Sequence, residues 1–167
     1  MTNVKTFTDY EKGYLEASID AEGFLSLTRK RYNDNYISYQ LIMGWTNTKK
    51  EFLQKIKKIL NIPNNISINN YEDKNRNTTY VLHISDAETL VNILSQLKLV
   101  IKERQREIFL KLAPLIIRGK LKTAVKLRRE RQHIFEKYYW EMKKLNVKGR
   151  RECPSCLKEV LEADDER

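Results

Sequence analysis

Residues 8–25 read Thr8-Asp9-Tyr10-Glu11-Lys12-Gly13-Tyr14-Leu15-Glu16-Ala17-Ser18-Ile19-Asp20-Ala21-Glu22-Gly23-Phe24-Leu25, and this stretch decides the fold. Thr8 followed three residues later by Glu11 is a capping box, which predicts a helix from about Asp9. Gly23 is the expected stop, because glycine tolerates the left-handed geometry that commonly ends helices. Gly13, Ala17 and Ala21 recur at every fourth position, so one face of the helix carries almost no bulk. Such a face lets another backbone approach closely. Asp20 and Glu22 stand at the helix C-terminus, where the macrodipole is already negative. Anions are unfavourable there unless a cation joins them.

Outward from this helix, Phe24 to Tyr32 alternates, with Leu25 and Leu27 against Ser26, Thr28 and Lys30. After the turn cluster Asn33-Asp34-Asn35, Tyr36 to Thr46 sets Ile37, Tyr39, Leu41, Met43 and Trp45 against Ser38, Gln40, Ile42, Gly44 and Thr46. Thr48 and Glu51 predict a second capping box, for a helix carrying Phe52, Leu53, Ile56, Ile59 and Leu60. Asn61-Ile62-Pro63 ends that helix. Ile66 and Ile68 then alternate with Ser67, Asn69 and Tyr71, and Tyr80, Leu82 and Ile84 with Thr79, Val81 and His83. Ser85 with Glu88 predicts the start of a third helix, with the stripe Leu90, Ile93, Leu94 and Leu97. Helical spacing resumes from Ile101 to about Arg118, kinked or restarted at Pro114, and again from Lys120 to Leu145. The fold class expected is α+β, in the order αββαββα: a curved four-stranded antiparallel sheet, apolar on one face, backed by helices and followed by C-terminal helices. Residues 1–148 are expected to form a single domain, and 149–167 a tail holding Cys153-Pro154-Ser155-Cys156.

The 167 residues include 32 basic and 22 acidic side chains, a net charge of +10. That surplus favours a polyanion as partner. No apolar run approaches a membrane span, and Met1-Thr2-Asn3-Val4-Lys5 has no signal-peptide core, so an intracellular protein is expected, in an organelle, nucleus or prokaryotic cytoplasm. Two cysteines make no disulfide framework, and one CxxC is half of a closed zinc site. Two tails in a dimer could supply four thiolates, but a reduced dithiol or a local disulfide is the preferred reading.

The polar sheet face carries Ser26, Thr28, Lys30, Tyr32, Ser38, Gln40, Thr46, Ser67, Asn69, Tyr71, Thr79 and His83. Hydroxyls and amides at fixed spacing suit base edges in the major groove, which a two-stranded ribbon enters. The alternative is an ordinary solvated face. Arg29-Lys30-Arg31 and the run Lys126 to Arg131 are candidate phosphate contacts, or plain solvated surface.

Leu15-Glu16-Ala17-Ser18-Ile19-Asp20-Ala21-Glu22-Gly23 resembles the LAGLIDADG motif of homing endonucleases. It matches at Leu15, Ile19, Asp20, Ala21 and Gly23, and Glu22 replaces an aspartate, a swap frequent in that family. Glu16, Ala17 and Ser18 depart from it: Ala17 keeps the small face, whereas Ser18 is polar where a leucine would pack. The resemblance covers residues 8–118 and implies a homing-endonuclease-like fold and sequence-specific cleavage of double-stranded DNA at a long pseudo-palindromic site. It implies Mg²⁺ held at Glu22 and Ala21, and a homodimer packed through Gly13, Ala17, Asp20 and Ala21. One acid per chain is too few for a two-metal site, so two copies of the helix are needed to complete it. The resemblance also puts catalytic roles on Asn47 at the end of the second strand, on Lys102 in Leu99-Val100-Ile101-Lys102-Glu103-Arg104-Gln105, and on Gln105 nearby. Intron RNA, bound by a maturase on the same scaffold, and a cleavage-inactive DNA-binding protein are the alternatives. A membrane-surface role explains neither the sheet pattern nor the acidic pair.

Overall fold

The computed structural model describes residues 5–33, 36–69, 77–119 and 125–146. Helix α1 spans Asp9–Glu22 and starts with the expected capping box. The Thr8 hydroxyl accepts from the Glu11 N–H at 3.3 Å, and the Glu11 carboxylate accepts from the Thr8 N–H at 2.9 Å. Its end differs from the expectation. Gly23 is extended (φ −80°, ψ 165°), with its N–H bonded to the Ile19 and Ser18 carbonyls. Glycine is needed for space and not for handedness, since a Cβ there would lie 2.7 Å from the Ile19 Cα.

The chain turns directly from α1 into β1 (Gly23–Asn33), pairs back through β2 (Tyr36–Asn47), and continues through α2 (Lys50–Leu60), β3 (Ser67–Asn69), β4 (Thr79–Ile84), α3 (Ala87–Leu94), α4 (Glu103–Gly119) and α5 (Val125–Asn146). The four strands form one antiparallel sheet in the order β1-β2-β4-β3. The period-two pattern decides the faces. Leu25, Leu27, Leu41, Met43, Trp45, Leu82 and Ile84 are buried, and they form a single core with Phe7, Leu15 and Ile19 of the first helix region and with apolar residues of α2 to α5, as far as Met142. This is the αββαββα order with two further helices. In register, the opposite face sets Thr28 beside Gln40, Lys30 beside Ser38, Gly44 beside Phe24 and His83, Val81 beside Thr46 and Ser67, and Asn69 beside Thr79.

Several local expectations shift. The Thr48–Glu51 capping box does not form: Lys49 is the N-cap residue of α2 and makes no side-chain cap bond. Asn47 makes the turn instead, its Oδ1 accepting from the Lys49 N–H at 2.8 Å. The third helix is capped one residue later than expected, by Asp86 accepting from the Thr89 N–H at 2.9 Å. β3 has only three residues, and Ile68 is 54% exposed where burial was expected. α4 begins at Glu103, leaving Ile101 outside the helix and 73% exposed, and it runs through Pro114 to Gly119. The turn at 34–35, Tyr71, residues 120–124 and the tail with Cys153 and Cys156 lie outside the described residues.

Candidate active site and nucleic-acid interface

The C-terminal half of α1 is fastened to the segment joining α3 to α4. Glu16 and Asp20, one turn apart, turn their carboxylates to this segment. Glu16 Oε1 accepts from the Lys98 N–H at 2.7 Å; Asp20 accepts from the Val100 N–H at 2.8 Å and from the Lys102 N–H at 2.9 Å. Burial works to raise the Asp20 pKa, but the N–H groups of Val100, Lys102 and Ile101 outweigh it and hold the carboxyl below the usual range. Asp20 is therefore a bracing residue whose oxygens are engaged within its own chain. Lys102 returns the contact, its Nζ donating to the Ile19 carbonyl at 2.8 Å and to the Asp20 carbonyl. The cation that the acidic helix end requires thus comes from the start of α4.

Glu22, the last residue of α1, is exposed, as is Ala21. Gly13 and Ala17 are exposed on the same stripe, and a Cβ added at Gly13 would meet nothing within 4 Å. The bare face is thus solvent-exposed among the described residues. Ser18, in contrast, is buried, with its hydroxyl donated to the Leu15 carbonyl at 2.9 Å. This local bond lets a polar residue occupy a leucine position. Gln105 on α4 is 5% exposed, and its Oε1 has no partner among the described residues. Asn47 closes β2, with its side-chain oxygen engaged in the turn to α2. No group of three or more His, Cys, Asp or Glu side chains lies together among the described residues. The donors of the helix end, one carboxylate and backbone carbonyls, fit a hard cation that keeps waters and phosphate oxygens in its shell, with few ligands from each chain.

The sheet brings Ser26, Thr28, Lys30, Ser38, Gln40, Thr46, Ser67, Asn69, Thr79 and His83 onto one face, across three strand pairings. Tyr32 lies in β1, with its side chain outside what is described. Two of the hydroxyls spend their protons within the sheet: Thr28 donates to the Gln40 carbonyl at 3.2 Å and Ser67 to the Val81 carbonyl at 3.3 Å. Arg29, expected among the phosphate contacts, points the other way. It pairs with Glu136 of α5 and lies 5.2 Å from the centre of the Tyr139 ring, because its place in the alternation is on the helix-covered face. The run Lys126 to Arg131 is helical in backbone. Glu16 and Glu136 are the residues that sequence reasoning missed. Glu16 left one signal, its four-residue spacing from Asp20; Glu136 left none.

An acid-tipped helix feeding an antiparallel sheet with one polar face is the arrangement that the homing-endonuclease resemblance implies. The family model for the LAGLIDADG-like domain matches residues 9–98, and the chain belongs to that family. Its structure is similar to that of the archaeal intron-encoded homing endonuclease I-Vdi141I, solved in complex with DNA, at 25% identity and a TM-score of 0.68, covering 95% of this chain and 96% of that one. The homing endonuclease I-CvuI is similar at 15% identity in two DNA complexes. One, obtained with magnesium, has a TM-score of 0.66 and covers 90% of this chain and 94% of that one. The other, with calcium, has a TM-score of 0.60 and covers 93% and 97%. No curated protein matches the sequence.

Proposed function

We propose that this chain, a DNA endonuclease of the LAGLIDADG type, cuts both strands of a long pseudo-palindromic site as a homodimer, with Mg²⁺ at the paired ends of α1. The observation that carries this is the end of α1 itself. Glu22 is exposed beside a lysine-capped helix end, at the foot of a stripe of exposed small residues. Packing two such stripes brings two Glu22 carboxylates together, and a second copy supplies what one chain lacks. DNA complexes of I-Vdi141I and I-CvuI, the latter with magnesium or calcium, support duplex DNA and a divalent cation.

Glu22 and the Ala21 carbonyl would hold the cation, which when bound polarises the scissile phosphate and activates water. The Lys102 ammonium, held at the Ile19 and Asp20 carbonyls, would stabilise charge developing on the phosphate. The Asn47 oxygen accepts from the Lys49 N–H, so its Nδ2 would be the group offered to water or phosphate. Gln105, buried on α4, would contribute an amide oxygen that has no partner among the described residues. On the sheet face, Thr28 and Ser67 present lone pairs to amino groups on base edges, while Gln40, Asn69 and Lys30 present donors.

The test is incubation of the intronless host allele with Mg²⁺ and either the wild type or Glu22→Gln. The wild type makes double-strand cuts, and the variant binds the same duplex without cutting it. A variant that cuts at the wild-type rate removes Glu22 from the reaction.

A further inference from the structure

Behind the polar face of the β1–β2 hairpin, three donors from three elements meet one carboxylate. Glu136 of α5 pairs with Arg29 of β1, accepts from the Tyr39 hydroxyl of β2, and accepts from Trp140 Nε1 at 3.1 Å. Aromatic packing fixes the same point. The Tyr39 ring stacks on Phe135 at 5.2 Å, and Arg29 lies over Tyr139. Burial, assisted by the Glu136 carboxylate, raises the Tyr39 pKa, so the phenol keeps its proton and remains a donor.

Register gives this cluster its meaning. Arg29 and Tyr39 are directly paired across the hairpin. Arg29 stands between Thr28 and Lys30, and Tyr39 between Ser38 and Gln40, so the cluster lies on the reverse side of two adjacent polar pairs, Thr28 with Gln40 and Lys30 with Ser38. In this stretch β2 has β1 as its only sheet neighbour among the described residues, since β4 pairs with Met43 to Asn47. Strand twist is larger in two-stranded ribbons than within wider sheets. Here the ribbon is held to α5 through Arg29 and Tyr39.

We infer that Glu136 is a positioning residue for sequence recognition: by holding Arg29 and Tyr39 against α5, it fixes the angle at which Thr28, Lys30, Ser38 and Gln40 meet the base edges. This rests on the proposed groove reading. Ser26 and Thr46 lie nearer the end of α1, whereas Lys30 and Ser38 lie nearer the hairpin tip. Ser26 to Lys30 spans about 13 Å, close to four base pairs. Loosening the cluster therefore affects the outer positions of each half-site and spares the inner ones.

The experiment is a binding selection from a randomised duplex library with Ca²⁺ in place of Mg²⁺, run on the wild type, Glu136→Gln and Tyr39→Phe. The second variant removes one hydroxyl and leaves the ring stacking intact. Both variants are expected to lose about fivefold or more of the wild-type preference at a contiguous block of outer positions, with inner preferences unchanged. A wild type that selects a sequence while both variants select the same one equally strongly overturns the inference alone. So does a uniform loss of affinity with the profile unchanged, which is what a merely structural role gives. A wild type that selects no sequence overturns the groove reading, and this inference with it.

Discussion

At the end of α1 the Ile19 and Asp20 carbonyls are met by one lysine ammonium, while the Asp20 carboxylate reaches back to the N–H groups beside that lysine. Lys102→Met removes the ammonium that opposes the negative pole of the helix. A loss of about 1 kcal/mol in chemical denaturation is expected, together with slower cutting of bound DNA. Asp20→Ala leaves the N–H donors of Val100 and Lys102, and that of Ile101 between them, without their charged acceptor, at a cost of about 1–3 kcal/mol. The effect of pH has a definite sign. The folded pKa of Asp20 is depressed, so the stability it contributes is present above the unfolded value and is lost as pH falls through the folded one. Denaturation curves of Asp20→Asn should therefore fall less steeply on the acid side than those of the wild type.

Among the elements, β2 carries the strictest alternation and also the tightest approach. A Cβ added at Gly44 would lie 2.6 Å from the Leu82 carbonyl oxygen and 2.7 Å from the Phe24 ring. Gly44→Ala must displace backbone or ring, so it should destabilise by about 1–3 kcal/mol, measurable as a lowered melting temperature. Long amphipathic elements such as β2 and α2 were legible because many residues repeat one burial decision. The three residues of β3 repeat it too few times, and Ile68 stayed exposed at the sheet edge. Helix starts slipped by a residue or two where several capping side chains stand close together, as at Asn47 and Thr48 or Ser85 and Asp86. Within the site, the dipole conflict made the acidic helix end legible before any contact was known. The sequence groups Arg29 with Lys30 and Arg31 as a phosphate contact although its place in the alternation is on the helix-covered face, and nothing local shows that Glu136 meets it there. That pairing joins residues distant in sequence, which no local spacing encodes.

For the whole molecule, the open question is what covers the stripe of Gly13, Ala17 and Ala21, and two substitutions separate the answers. Glycine inside a helix costs about 0.5–1 kcal/mol relative to alanine, and there is open space around the Gly13 Cα. If the stripe is a solvated face, Gly13→Ala simply stabilises the protein, and Ala17→Leu changes little, since Ala17 is exposed and a leucine displaces nothing. If two copies of α1 pack there, the signs divide. Gly13→Ala raises the stability of the isolated chain while weakening association, because the added methyl keeps the two backbones apart. Ala17→Leu leaves the fold intact, sediments as a monomer, and loses double-strand cutting while retaining the Glu22 and Lys102 of each chain. Analytical ultracentrifugation beside thermal melts over a range of protein concentrations reads both effects. An Ala17→Leu protein that remains dimeric and cuts both strands excludes α1 as the joint between subunits, since no leucine at that position fits between helices brought together along their small residues.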